Sequence, residues 1–312
     1  MRVAAVQSAP VWMSRSATID KVVDLVKEAS EGGAELVAFS ETHVPGYPWW
    51  LMLDSLPDVM NRRHHVARQA WYLREGVDIA RGDLNPIVNV ARGQNVFVSV
   101  GVAEVAPTGG SIYCSMVMIH PERGIVGIHR KIKPTTTERL SWADGDGHGL
   151  RVHDWAGWKI GGLNCWENWL PIPRFTLYSQ GEQIHIASWP GGTALTPDIT
   201  RFVAIEGGVF SISVCGLFGA ENIPADYPGG NSFIEALNIG SPFGDGGTMI
   251  VDPTGKVLAS ADQSKEQIIY ADIELDLALS SRVNRDPAGH YHRPDLFEVT
   301  VNRSRPSPVS FA

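Results

Sequence analysis

Gly161-Gly162-Leu163-Asn164-Cys165-Trp166-Glu167-Asn168-Trp169-Leu170-Pro171 is the stretch that decides how this chain is read. It opens in an apolar run (Trp158, Ile160, Leu163) with the length and composition of a short buried strand. It closes at Pro171, whose fixed φ and missing N–H suit the first turn of a helix. Cys165 therefore falls where a strand gives way to a turn, at the rim of a sheet. A side chain there faces a ligand, and nearby backbone N–H groups point at whatever the sulfur attacks. A buried structural thiol is the other reading of a free cysteine. Two further segments favour the nucleophile.

Outward from Cys165 the chain mixes strand-like and helix-like runs. Val152 and Lys159–Asn164 flank Gly157, and Ile112–Ile119 and Ile125–His129 flank the hairpin turn Pro121-Glu122-Arg123-Gly124. Further back, Val96–Ala103 and Leu36-Val37-Ala38-Phe39 read as strands, Asp58–Leu73 as a mixed helical region and Val3–Val6 as the first strand. Ser16 is expected to cap a helix with Ile19, Val22, Val23, Val26 and Ala29 on one face, stopped by Gly32-Gly33. Beyond Cys165, Arg174–Tyr178 and Ile199–Glu206 read as helices among strands at Gln183–Ala187, Val209–Val214, Thr248–Val251, Lys256–Ala259 and Ile268–Ile273. Such a mixture implies an α/β protein on mixed sheets, neither all-parallel nor a barrel. No repeat or composition break marks a linker, so one domain is expected.

The 312 residues carry a net charge of −8, with 44% hydrophobic and 19% charged residues. That is the balance of a soluble globular chain long enough for a full core. Nothing resembles a basic stripe, so no nucleic-acid partner is expected. Cys114, Cys165 and Cys215 are odd in number and lack metal-site spacing, which argues against a disulfide framework and for a reducing compartment. The start, Met1-Arg2-Val3-Ala4-Ala5-Val6-Gln7, turns polar too soon for a signal peptide, and no run is long enough to span a membrane. The expectation is a cytoplasmic protein with no membrane partner.

A cysteine nucleophile needs a base, and the ten histidines show no arrangement that supplies one. Two acids and a lysine are better placed. Glu41 ends a strand in Phe39-Ser40-Glu41-Thr42-His43-Val44-Pro45-Gly46-Tyr47-Pro48, and Lys131 ends a hairpin arm in His129-Arg130-Lys131-Ile132-Lys133-Pro134. Taken singly, each is more often a solvated charge. Taken together with Cys165, the three segments resemble the nitrilase superfamily from Arg2 to Asp295. The resemblance implies an α-β-β-α sandwich, mixed sheets with helices on the outer faces, over a single domain of residues 1–295 with a C-terminal arm at 296–312. It implies a Glu41-Lys131-Cys165 triad with Glu138 beside it, and no metal or organic cofactor.

Cys165-Trp166-Glu167-Asn168 followed by Pro171, Gly46-Tyr47-Pro48 and Asp286-Pro287-Ala288-Gly289-His290-Tyr291-His292-Arg293-Pro294-Asp295 resemble the nitrile-hydrolysing branch. An amidase or carbamoyl-amide hydrolase, a cyanide hydratase or dihydratase, and a catalytically silent assembly subunit are the rivals. On the branch reading the substrate is a small-molecule nitrile. Cys165 attacks its carbon, Glu41 carries protons, and Lys131 favours the thiolate and stabilises the developing anion, with the Trp166 N–H as a second donor. Glu138 would hold Lys131 or the substrate. Tyr47, Trp49, Trp166 and Trp189 are the candidate pocket walls, against the alternative that they only pack the core.

Other motifs weigh less. Asp144-Gly145-Asp146-Gly147-His148-Gly149 has some look of a calcium loop, but Trp155 stands where the closing glutamate belongs, so a tight turn is expected. His64-His65 and His290-Tyr291-His292 lack helical ligand spacing, so structural roles are expected. No G-x-S-x-G elbow or dinucleotide fingerprint occurs. Two features depart from the family: Ser40 replaces the proline that often precedes the glutamate, and the residues after Asp295 are fewer than in many members. The resemblance still implies a homodimer or higher homo-oligomer through the helical face next to the cysteine. Ser304-Arg305-Pro306-Ser307-Pro308 would be an extended arm within reach of a neighbour.

Overall fold

Along the first strand Val3 and Ala5 point one way, Ala4 and Val6 the other, and all four are fully buried. A strand buried on both faces lies between two layers. The computed structural model describes residues 1–53, 63–194, 196–238, 244–307 and 309. The expected helical residues 58–62 and, in the expected arm, Pro308 and residues 310–312 lie outside them.

Among the described residues the strands are β1 (Arg2–Gln7), β2 (Leu36–Ala38), β3 (Phe97–Val105), β4 (Ile112–His120), β5 (Gly124–Arg130), β6 (His153–Trp155), β7 (Trp158–Asn164), β8 (Ile184–Trp189), β9 (Phe210–Cys215), β10 (Met249–Val251), β11 (Val257–Ser260) and β12 (Gln267–Asp272). They form two six-stranded sheets, ordered β12-β1-β2-β3-β4-β5 and β6-β7-β8-β9-β10-β11. Read in that order, both sheets run through the same five pairings: antiparallel, parallel, parallel, antiparallel, antiparallel. The first sheet is made by β1–β5 with the late strand β12 on its edge, the second by the contiguous β6–β11, and the two are nearly alike.

Residue alternation sorts the layers. Val3, Ala5, Leu36, Phe97 and Met116 of the first sheet pack on Ile160, Ile184, Ile186, Phe210 and Ile212 of the second. The opposite face of the first sheet (Ala4, Val6, Val37) is covered by α1 (Arg15–Glu31) through Ile19, Val22 and Val26. A later helix adds Ile87 and Val90. Ala187 and Trp189 on the far side of the second sheet meet α5 (Pro171–Tyr178) through Tyr178, and α6 (Thr196–Gly207) through Ile199 and Val203. The result is the α-β-β-α sandwich. The helices α2 (Trp50–Leu53), α3 (Arg63–Glu75), α4 (Asn85–Gln94), α7 (Gly230–Asn238) and α8 (Leu275–Val283) complete the description. No helix among the described residues is long and apolar enough to cross a membrane.

The expected start of the first helix moves. The first helix begins at Arg15 with Ser14 at its cap, not at Ser16, because Met13 turns the chain with a φ of 62° and the Glu75 carboxylate of α3 accepts from Arg15 N at 2.8 Å. Helices α2, α4, α7 and α8 have no counterpart in the sequence reading.

Candidate active site

The four expected residues converge from four places in the chain. Glu41 lies three residues beyond the end of β2, where its backbone N–H donates to Trp189 O at the end of β8 (3.2 Å). Lys131 follows β5 and extends the hairpin by one rung, its N–H donating to Cys114 O at 2.7 Å. Glu138 sits in a 3-10 turn at Thr136–Leu140, where its carboxylate folds back to accept from Thr135 N at 2.6 Å. Cys165 opens a second 3-10 turn at Cys165–Trp169, directly after β7, and Pro171 starts α5 as expected. All of these are strand ends or the turns that follow them.

The side chains form a compact buried cluster. Lys131 Nζ donates to Glu41 Oε1 at 2.9 Å and to Glu138 Oε2 at 2.7 Å, with no solvent exposure of the lysine side chain. Donor atoms of Glu41, Glu138 and Cys165 all lie within 4.8 Å of one another. These residue types suit a divalent cation, but the Lys131 ammonium already bridges the two carboxylates and supplies the positive charge in its place. Tyr47 donates to Glu138 Oε1 at 2.7 Å, which fixes that carboxylate.

Burial decides the electrostatics, with charge pairs correcting it. Burial raises Glu41 against the pull of Lys131, with Glu138 adding to the rise, and its pKa stands at about 7. Burial works against the Lys131 charge, but Cys165, Glu41 and Glu138 outweigh it and hold its pKa well above the ordinary value. Cys165 corrects the expectation of a thiolate. Burial pushes its thiol well above the ordinary value, and Lys131 and the Trp166 N–H oppose that rise without reversing it. The site therefore rests with a protonated thiol beside a carboxyl whose pKa is raised to about 7.

The backbone around the cluster is strained. Thr42, Thr136 and Cys165 have positive φ (42°, 37° and 50°), where side chains with a Cβ are disfavoured and β-branched ones most of all. Each costs about 1–3 kcal/mol, and such strain collects at functional sites. The glycine-rich stretch after Trp142 supports Lys131 from behind. Gly145 N donates to Lys131 O at 2.9 Å, and a Cβ there would meet Arg130 O and Lys131 O at 2.4 Å. Asp144 pairs with Lys133 (2.6 Å) and Asp146 with Arg305 (3.1 Å), so this stretch is a pinned turn.

Glu167 is a residue the sequence quoted without assigning. Its Oε1 accepts from Ile132 N at 2.6 Å; its Oε2 accepts from Asn164 N at 2.9 Å and lies 2.9 Å from His129 Nε2. Burial would raise this carboxyl, yet His129 and the two backbone donors hold it below its ordinary value. One carboxylate thereby binds the residue after Lys131 and the residue before Cys165, joining the two sheets. The Asn164-x-x-Glu167 spacing is that of a capping box and was the available signal. Cys114, which touches Glu41, carried no such signal.

A cleft opens onto Cys165, with about 510 Å³ of empty space counting its mouth. Tyr47, Trp49, Trp166 and Trp189 all line it, joined by Met52, Thr135, Pro190 and Thr196. Trp166 is 47% exposed at the mouth while Tyr47, Trp49 and Trp189 are buried. Behind Tyr47 and Trp49 lies an aromatic cluster that includes Trp12, Trp50, Tyr72 and Trp142. Trp12 Nε1 donates to Tyr47 O at 2.8 Å and Tyr72 OH to Gly46 O at 3.1 Å, which fixes the loop. Of the other histidine candidates, His292 packs on Phe175 and His290 on Tyr291.

Residues 2–282 match the carbon-nitrogen hydrolase family model. The chain belongs to that family. It is 33% identical to an aliphatic nitrilase of Rhodococcus rhodochrous, covering all of this chain and 82% of that one. It is 34% identical to a bromoxynil-specific nitrilase of Klebsiella pneumoniae subsp. ozaenae, over 99% of this chain and 87% of that one. Among solved structures, a carbon-nitrogen hydrolase from Helicobacter pylori G27 superposes with a TM-score of 0.70 at 20% identity, covering 95% of this chain and 96% of that one. A CN-hydrolase superfamily protein from Xanthomonas campestris gives a TM-score of 0.68 at 15% identity, over 91% and 94%. This carbon-nitrogen hydrolase thus shares its fold with those proteins and most of its length with enzymes named nitrilases.

Proposed function

We propose that this hydrolase is a nitrilase, converting an organic nitrile to the carboxylic acid and ammonia. The observation that carries the reading is the buried Glu41–Lys131–Glu138 cluster facing Cys165 at the floor of an aromatic cleft. The nitrilase names of relatives that this chain matches along most of their length support the branch.

Each residue has a step. Glu41 accepts the thiol proton as the sulfur attacks the nitrile carbon, and delivers that proton to the nitrile nitrogen. The product is a covalent thioimidate. Lys131 and the Trp166 N–H stabilise negative charge as it develops, first on nitrogen and then on oxygen. Glu41 takes a proton from an incoming water and passes it to nitrogen, then relays the hydroxyl proton of the tetrahedral adduct to the same nitrogen as the adduct collapses, so that ammonia leaves and a thioester remains. A second water, activated the same way, releases the acid and returns the proton to Cys165. Glu138 keeps Lys131 oriented through both halves. An amide product would mark collapse with loss of the thiol instead.

Residues 1–295 make one catalytic domain in this reading, 296–312 an arm, and the free thiols suit the cytoplasm. A second copy of the chain covers the exposed apolar surface beside the nucleophile turn, which includes Trp169, Leu170 and Ile172. Next to it lies a groove walled by Phe175, Leu296 and Phe297. Light scattering on the purified protein tests this: a monomer at micromolar concentration would end the dimer reading.

The activity test is ammonia release from a panel of nitriles, their matching amides and cyanide, with Cys165→Ala alongside. Acid and ammonia from nitriles, abolished in the folded variant, are expected. Turnover of amides alone would move the enzyme to the amidase branch, and cyanide alone to the cyanide-hydrolysing one. Undiminished turnover in Cys165→Ala would end the nucleophile assignment.

A further inference from the structure

Three polar side chains with no solvent exposure, Glu182, His185 and Asn168, form a chain of hydrogen bonds that ends on the backbone of Cys165. Asn168 Nδ2 donates to Cys165 O at 2.8 Å and to Leu163 O at 3.3 Å. Asn168 Oδ1 lies 2.8 Å from His185 Nε2, and His185 Nδ1 lies 3.0 Å from Glu182 Oε1. None of the three has a step in the reaction above.

The acceptors settle the donors. Only an NH2 group can face two carbonyl oxygens, so Oδ1 must face the ring and His185 Nε2 must carry a proton. One further proton then lies between Nδ1 and the Glu182 carboxyl. The ring is held at both nitrogens and cannot turn. The main chain makes room for this arrangement: a Cβ at Gly161 of β7 would sit 2.1 Å from Glu182 Oε1, so only glycine fits there. Arg174 Nη1 donates to Asn168 O at 2.7 Å, and Arg282 Nη2 donates to Glu182 O, so both ends are anchored.

Burying three polar groups is costly, and Glu182 Oε2 is left without a partner, but the bonds along the chain offset part of that cost and specify one geometry. The geometry specified here is at Cys165, whose φ of 50° is strained. We propose that Glu182, His185 and Asn168 are positioning residues for the nucleophile: by pinning the Cys165 carbonyl they hold the thiol and the Trp166 N–H in reacting orientation. The inference rests on Cys165 as the nucleophile.

The test compares wild type with Cys165→Ala, Asn168→Ala, His185→Ala and His185→Gln for kcat, KM and thermal midpoint on the best nitrile of the panel. A glutamine at 185 still presents an N–H toward Asn168 Oδ1. Misplacement of reacting groups by a fraction of an ångström to 1 Å costs up to about 10²-fold in rate. Asn168→Ala and His185→Ala are therefore expected to lose about 10- to 10²-fold in kcat with KM within about twofold, and His185→Gln to recover most of it. Where an alanine variant does not fold, His185→Asn replaces it; its shorter amide falls short of Asn168 and should show the same loss. Wild-type kcat in a folded His185→Ala or His185→Asn, or equal losses with glutamine and alanine, overturns the proposal. Turnover by Cys165→Ala would remove the nucleophile reading itself, whereas an inactive Cys165→Ala beside a full-rate His185→Ala removes only the positioning role.

Discussion

Cys114 Sγ lies 3.3 Å from Glu41 Oε1, the same oxygen that accepts from Lys131 at 2.9 Å. The other oxygen, Glu41 Oε2, is buried without a partner. Two donors therefore share one side of the carboxylate, and the bare side is left to take a proton. The charged and titratable groups facing Glu41 among the described residues are Lys131, Glu138, Cys114, Cys165, Tyr47 and Tyr72. Cys114→Ala removes one donor that favours the ionised form, so the acid limb of kcat/KM is expected to move to higher pH. Cys114→Ser, which keeps a donor, should move it back. Superimposable acid limbs in wild type and Cys114→Ala would show that the thiol does not tune the base.

The resting proton distribution predicts the wild-type profile. In the proposed mechanism Glu41 must be ionised to take the thiol proton, and burial raises its pKa to about 7. Below that value each unit of pH protonates tenfold more of the base, so kcat/KM should fall about tenfold per unit below pH 7 and level off above it. Initial rates between pH 5 and pH 9 check this. A limb near the ordinary carboxylate value would mean that Glu41 is solvated in solution.

Lys131→Ala should reduce kcat by at least ~10²-fold, as for loss of an anion-stabilising donor. It also strands two carboxylates in the interior, a change worth about 3–5 kcal/mol for a broken buried pair. Without the ammonium, Glu41, whose pKa burial already raises, folds best in its protonated form. A group whose folded pKa is raised stabilises the fold at low pH and loses that contribution as pH rises, so the variant's thermal midpoint should approach wild type in acid and fall away toward neutrality. A midpoint deficit that does not change with pH would mean the cluster's charges are compensated elsewhere.

Gly145→Ala tests the support behind Lys131. The new methyl would meet two carbonyl oxygens at 2.4 Å, one of them Lys131's own. Overpacking of this kind costs about 1–3 kcal/mol. The expected result is a lower thermal midpoint together with a kcat loss larger than the folded fraction explains. Wild-type kinetics would show that the turn can yield without moving the lysine.

The sequence carried the strand ends well and the lateral contacts poorly. Glu41, Lys131 and Cys165 each follow a legible apolar run, and the boundary between strand and 3-10 turn at Asn164 and Cys165 was visible in Pro171 and the preceding glycines. Helix α8 was missed because only Ala278 is buried along it, so it has no apolar stripe to read. Helix α4 does bury Ile87, Val90 and Ala91 at helical spacing, and went unread beside the strand that follows. The contacts of Cys114 with Glu41 and of Glu167 with Ile132 join residues 73 and 35 positions apart. The first depends on how strands register within one sheet and the second on how the two sheets pack, which periodicity within a segment does not encode. The thiolate expectation failed for a related reason: the nearby charge was legible, but the depth of burial that overrides it was not.

Glu41, Lys131 and Glu138 come from the first half of the chain and its sheet, while Cys165 comes from the second. Each sheet could complete its own hydrogen-bond ladders without bringing sulfur and base together. In the proposed mechanism, a newly made chain whose two sheets have formed but not packed together is therefore chemically inert, however much secondary structure it has. On that reading catalytic competence reports the closing of the sandwich, and the same arrangement keeps the sulfur apart from its proposed base in any form of the protein that has yet to reach its native shape.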